Sequence, residues 1–175
     1  MGNTWTPLAV NVTGPAVTFV WYSLDHFGST YTLSGDYGQV AVSTDGCLTW
    51  TTPGYTQLSN SLLNDITTVS GTSKYWAVGR AFPNGGSNKQ ILYSSNSGSS
   101  WTTQNAGITA DFTSISMINE NTGYISGTNN KVMKTTDGGS SWIAKTGPSP
   151  VSTSQLYTCD FIDENTGWVF VNFST

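Results

Sequence analysis

The sequence predicts an all-β chain built from repeated four-stranded antiparallel meanders. Three observations carry that reading. An eight-residue string ending in Trp occurs three times, as Ser43-Thr-Asp-Gly-Cys-Leu-Thr-Trp50, Ser94-Ser-Asn-Ser-Gly-Ser-Ser-Trp101 and Thr135-Thr-Asp-Gly-Gly-Ser-Ser-Trp142, with a truncated copy at Gly2-Asn-Thr-Trp5. The closing residues Trp5, Trp50, Trp101 and Trp142 lie 45, 51 and 41 residues apart, the period range of propeller blades. Between the copies, short apolar or β-branched runs alternate with Gly/Asn/Asp clusters, and no segment shows a helical period.

The third repeat is the clearest. Strands are predicted over Thr113–Ile118, Tyr124–Gly127, Lys131–Thr135 and Ser141–Ala144, separated by turns at Asn119–Gly123, Thr128–Asn130 and the motif itself. The second repeat places strands at Asp65–Val69, Tyr75–Val78, Gln90–Tyr93 and after Gly98. The first places them at Val17–Tyr22, Thr30–Leu33, Gln39–Val42 and around Trp50. Asp163-Glu-Asn-Thr-Gly-Trp168 aligns with Asn119-Glu-Asn-Thr-Gly-Tyr124, so Leu156–Ile162 and Trp168–Phe173 open a fourth repeat. Predicted blades therefore span 16–51, 62–102 and 112–145, and a split blade combines 156–175 with 3–8. The chain reads as a single β-propeller domain or a propeller fragment.

The motif has the chemistry of a tight turn between the third and fourth strands. Asp45 and Asp137 can accept hydrogen bonds from turn N–H groups, and Asn96 can do so through its amide oxygen. Gly98 and Gly139 suit positive φ, where a β-carbon is costly. Cys47 stands at the same place, which predicts a strained or differently shaped first turn. Trp50, Trp101 and Trp142 each offer roughly 150–250 Å² of burial, an upper bound of roughly 4–6 kcal/mol at about 25 cal/mol/Å². The motif is thus read as a structural staple.

Composition narrows function. A net charge of −4 with six cations argues against nucleic acid, whose backbone is held by clustered Lys and Arg. Cys47 and Cys159 are too few for a disulfide framework, and no bridge between them is expected. No 18-residue apolar run is present to span a membrane, and no signal peptide is visible. A low-charge, Gly/Ser/Thr/Asn-rich chain favours a secreted or cell-surface parent.

The three strings resemble the Asp-box, or bacterial neuraminidase repeat. The longer pattern, Asn-Glu-Asn-Thr-Gly-Tyr followed by Thr-Thr-Asp-Gly-Gly-Ser-Ser-Trp, is most similar to photosystem II assembly-factor-like and sortilin-like propellers. The resemblance implies Asp-boxes at the blade periphery, away from the usual ligand face, in rings of six or more blades. It also raises sialidase chemistry, which relies on three arginines, whereas this chain has Arg80 alone.

A glucan-cleaving relative would need two carboxylates across a cleft. Outside the motif and the acidic turns the available acids are Asp25, Asp36, Asp65, Asp111 and Asp160, and their spacing selects no pair. His26, in Asp25-His-Phe-Gly28, is read as a turn residue. No catalytic residue, metal site or cofactor is assigned. Any ligand is expected on the face opposite the motif turns, at Ser34–Tyr37, Tyr55, the 82–89 loop and Thr128–Asn130. There Tyr37, Tyr55, Arg80, Phe82, Asn84 and Lys89 offer stacking faces and hydrogen-bond groups for a sugar or peptide. The favoured function is a non-enzymatic binding or scaffold module making protein or glycan contacts. Its other partners are further copies of the chain or the remaining blades of a longer one. The alternative is a fragment of a glycoside hydrolase-type propeller.

Overall fold

A computed structural model of the chain describes residues 12–13, 20–52, 61–81, 91–108, 110–149 and 155–171. These form four β-sheets laid out in chain order. The first contains β1 (Val12–Thr13), β2 (Trp21–Phe27), β3 (Thr30–Gly35), β4 (Val40–Ser43) and β5 (Trp50–Thr51). The second contains β6 (Ser61–Thr68), β7 (Tyr75–Ala81), β8 (Ile91–Ser94) and β9 (Thr102–Gln104). The third contains β10 (Phe112–Met117), β11 (Gly123–Gly127), β12 (Val132–Thr135) and β13 (Ile143–Lys145), and the fourth contains β14 (Leu156–Phe161) and β15 (Gly167–Val171). Each sheet is an antiparallel meander, except that β1 adds to β5 in parallel. The inner strands β2, β6, β10 and β14 neighbour one another from sheet to sheet, so the sheets are stacked blades around a common axis. The split-blade segment 3–8 lies outside the described residues.

Two expectations change. The first strand of the first blade is β2, which runs on to Phe27 beyond the predicted end at Tyr22; residues 17–19 lie outside the described residues. Asp25, His26 and Phe27 accordingly belong to the strand, and the chain turns at Gly28–Ser29. The cause is tertiary. The hydroxyl of Ser23 donates to Asp65 at 2.7 Å, and the carboxylate of Asp25 accepts the N–H of Thr68. Polar residues that look like a turn in isolation are thus satisfied by the next blade. His26 stacks on Tyr31, with centroids 5.1 Å apart.

The three motif turns share one hydrogen-bond pattern. Ser43, Ser94 and Thr135 hydroxyls donate to Asp45, Asn96 and Asp137 at 2.8, 3.0 and 2.8 Å. The same hydroxyls accept the N–H of Cys47, Gly98 and Gly139 at 2.9, 2.9 and 2.8 Å. The acid or amide oxygen then accepts the N–H of Thr49, Ser100 or Ser141, each at 2.9 Å. In the two Asp copies the Thr49 and Ser141 hydroxyls donate to the second carboxylate oxygen at 2.6 Å. In the second copy the Asn96 amide instead donates to Ser100 Oγ at 2.9 Å, so reversing one bond preserves the turn. Of the two outcomes expected at Cys47, a strained or a differently shaped turn, the structure shows the first: its φ of 73° matches 79° at Gly98 and 88° at Gly139, so the shape is kept. Strain is present, since a residue with a β-carbon pays about 1–2 kcal/mol in that region.

The turns also lock blade to blade. A β-carbon added at Gly98 would lie 2.7 Å from Val42 Cγ2 of the first blade, and one at Gly139 would lie 2.0 Å from Gln104 Oε1 of the second. Trp76 Nε1 and Gln104 Nε2 both donate to the Gly138 carbonyl, at 3.1 and 2.9 Å. Val40 and Val42 share a core with Leu63, Ile66, Leu92 and Trp101, and Trp76, Val78 and Ile91 share one with Phe112, Ile115, Met133 and Trp142. The core therefore sits in the seams between sheets, as it must when each blade has two apolar faces. Both cysteines are buried and free.

Candidate functional site

The end of the blades opposite the motif turns is shaped by a defect repeated in all four inner strands. Paired registers step from Trp21 to Ser23, Leu63 to Asp65, Phe112 to Ser114 and Leu156 to Thr158 against single steps on the partner strand. Each step leaves one bulged residue, namely Tyr22, Asn64, Thr113 and Tyr157. Bulges bend a strand and re-aim a side chain. Opposite them sit Gly35, Gly79 and Gly127 in the first three blades. A β-carbon at Gly79 would lie 1.8 Å from the Leu62 carbonyl oxygen, so the close backbone approach demands glycine.

Two bulged residues stitch successive blades. Asn64 Nδ2 donates to the Phe112 carbonyl at 2.7 Å, and Thr113 Oγ1 donates to the Leu156 carbonyl at 2.5 Å. Asn64, Thr113 and Tyr157 then line one cavity of about 400 Å³ with Arg80, Asp111, Thr128 and Gln155. These side chains come from the second, third and fourth blades. Arg80 and Asp111 bring opposite charges to the cavity, and among the described residues the ion pairs are Lys74–Glu120 and Lys134–Glu164. Tyr157 offers a half-exposed ring. Tyr22 stands on the neighbouring blade, its hydroxyl donating to Asp36 Oδ1 at 2.8 Å. That bond holds its phenol above the usual tyrosine range; burial and the Asp36 charge add to the effect, and the Arg80 charge opposes it.

Of the residues singled out from sequence, the structure places Arg80 and Thr128 in this lining. Tyr37 lies on the 3-10 turn Asp36–Gly38 of the first blade with φ of 54°, and it does not line the cavity. Tyr55, Phe82, Asn84 and Lys89 lie outside the described residues. Sequence reasoning missed Asn64, Thr113, Gln155 and Tyr157, and it named Asp111 only among the available acids. The recurrent glycine at or near the end of the second strand, at Gly35, Gly79 and Gly127, is the sequence signal for the bulges.

The remaining chemistry is committed to structure. Asp65 Oδ1 accepts Ser23 Oγ and the Ile66 N–H at 2.7 and 2.9 Å, and Oδ2 accepts Ser114 Oγ and the Ile115 N–H at 2.7 and 2.9 Å. Burial pushes the Cys159 thiol up to about 11 and also raises Cys47, which keeps both protonated and poorly nucleophilic. Among the described residues no cluster of three His, Cys, Asp or Glu side chains is placed to hold a metal ion. Among the described residues no helix is long and apolar enough to cross a membrane. A second cavity, of about 410 Å³, lies at the motif end between the second and third blades, where the Lys74–Glu120 pair and Gln104 close its walls.

Blades joined by these turns can be set beside known proteins. Residues 93–172 match the family described as Photosynthesis system II assembly factor YCF48. The chain is an Asp-box β-propeller, and its residues 93–172 are similar to this assembly-factor family. The solved structure of YCF48 from Cyanidioschyzon merolae superposes with a TM-score of 0.58 at 17% identity, over 73% of this chain and 41% of that one. The Asp-box chain thus spans 41% of the length of that relative. An ancestral GH74 enzyme gives a TM-score of 0.58 at 18% identity, over 78% of this chain and 22% of its own. A structure of YCF48 bound to D1 peptide gives 0.44 at 12% identity, over 97% and 81%. At these identities the likeness is one of fold. No curated protein matches the chain.

Proposed function

We propose that this Asp-box propeller is a non-enzymatic binding and scaffold module, taking a protein or glycan at the bulge-lined mouth and working together with further copies of itself. The observation that supports this most is the convergence of Asn64, Thr113 and Tyr157 with Arg80 and Asp111 on one cavity. It combines two charges of opposite sign with amide, hydroxyl and aromatic groups, the mixture that orients a polar chain-like ligand. The family match at 93–172 to an assembly factor favours a protein ligand over a glycan. Asp25 and Asp65 spend their carboxylates on backbone and hydroxyl donors, which disfavours them as an acid/base pair. The polar, low-charge composition supports a secreted or cell-surface setting.

The test is binding of the full chain to an array of overlapping peptides and to β-glucan oligosaccharides, repeated with Arg80→Ala. Retention on one class, lost on Arg80→Ala with thermal stability unchanged, supports the reading. Turnover of a β-glucan would overturn it in favour of a glycoside hydrolase fragment.

A further inference from the structure

Repeat alignment exposes an imbalance between the two ends of the blade array. By strand register, Leu24 occupies the position of Ile66, Ile115 and Cys159. The last three are 3%, 4% and 5% exposed, each covered by the preceding blade, whereas Leu24 is 51% exposed. At the other end Trp168 occupies the position of Trp76 and Tyr124, which are 0% and 7% exposed because the following blade covers them. Trp168 is 54% exposed, and Phe170 beside it 63%.

These two surfaces are the two halves of one seam. Inside the chain Tyr124 stacks on Phe161 with centroids 3.8 Å apart, and Trp76 shares a core with Ile115 and Met117. His26 holds the register place of Met117 and Phe161. The first blade therefore presents Leu24 and His26 where the seam takes a ring, and the fourth presents Trp168 where the seam supplies one.

We propose that a second copy of this chain covers these faces head to tail, with Trp168 and Phe170 of one copy seated on Leu24 and His26 of the next. The inference rests on the reading that copies assemble, and adds which surfaces meet. It continues an interface the chain already forms between its own blades, and both halves are present in one sequence. The contact joins two different patches, so it is heterologous and closes into a ring when the rotation per copy permits. Large apolar side chains left in water at both ends supply the drive.

The test uses the full chain in light scattering from about 1 to about 100 µM, where mass action separates monomer from assembly. Leu24→Asp and Phe170→Asp alter opposite, exposed faces, so each variant should stay folded and keep a cooperative thermal transition. The parent should give at least about twice the monomer mass, each variant alone a clearly smaller assembly or monomer, and an equimolar mixture of the two should regain a dimer. The mixture regains it because one seam remains intact between them. Monomer at every concentration would overturn both this seam and the assembly reading. Assembly undisturbed by either substitution would overturn the seam alone.

Discussion

The Thr135 hydroxyl accepts the N–H of Gly139 at 2.8 Å while donating to Asp137 at the same distance. One side chain thereby closes the Asp-box from both sides, and it is 1% exposed. Thr135→Val keeps the shape and removes both bonds, together with the one from the Asp137 N–H at 3.3 Å. The buried Gly139 N–H then has no partner, and the loss should be about 1–3 kcal/mol in urea unfolding. Asp137→Asn should cost less, because Asn96 already serves the same turn by donating to Ser100.

Asp65 draws three blades together through Ser23, its own strand and Ser114. Asp65→Ala leaves those donors unsatisfied at the inner strands. A loss of at least about 2 kcal/mol is expected, with increased hydrogen exchange at Ile115 as the local readout.

Gly79 and Gly46 separate steric clash from backbone strain. Around Gly46 there is open space and φ is +72°, so Gly46→Ala should cost only the left-handed penalty, about 1 kcal/mol. At Gly79 the added carbon meets backbone at 1.8 Å. Gly79→Ala should exceed the Gly46 variant clearly in thermal unfolding and weaken any ligand held by the bulge-lined mouth.

Acid should loosen the turns. The hydroxyl and N–H of Thr49 and the hydroxyl of Ser43 hold Asp45 down at about 2, Ser141 and then Thr135 lower Asp137, and the Asn165 N–H lowers Asp163. A carboxylate depressed on folding contributes stability above its unfolded value of about 3.9, and that contribution disappears as pH falls through the folded value. Melting temperature should thus be flat from about pH 7 to 5 for these groups and fall between about pH 4 and 2. Asp45→Asn should flatten part of that fall; an unchanged acid limb would exclude the box carboxylates as its source.

Legibility in the sequence followed the range of the interactions. The three boxes were readable because their bonds join residues four apart, as from Cys47 to Ser43 or Ser100 to Asn96, so the same short string makes the same turn wherever it stands. Strand β2 runs past its predicted end at Tyr22 because Ser23 and Asp25 find their partners in the next blade. Arg80 could be singled out as the sole arginine, but nothing local to Asn64 or Tyr157 marks a bulge.

The sequence by itself determined the blade as a unit, its turns and the tryptophans that close them, because each depends on neighbours within a few residues. The tertiary structure alone decided which residues share a site. Asn64, Thr113 and Tyr157 stand at equal depth in successive blades, and they meet only because stacked sheets bring together strand ends that are a full repeat apart along the chain.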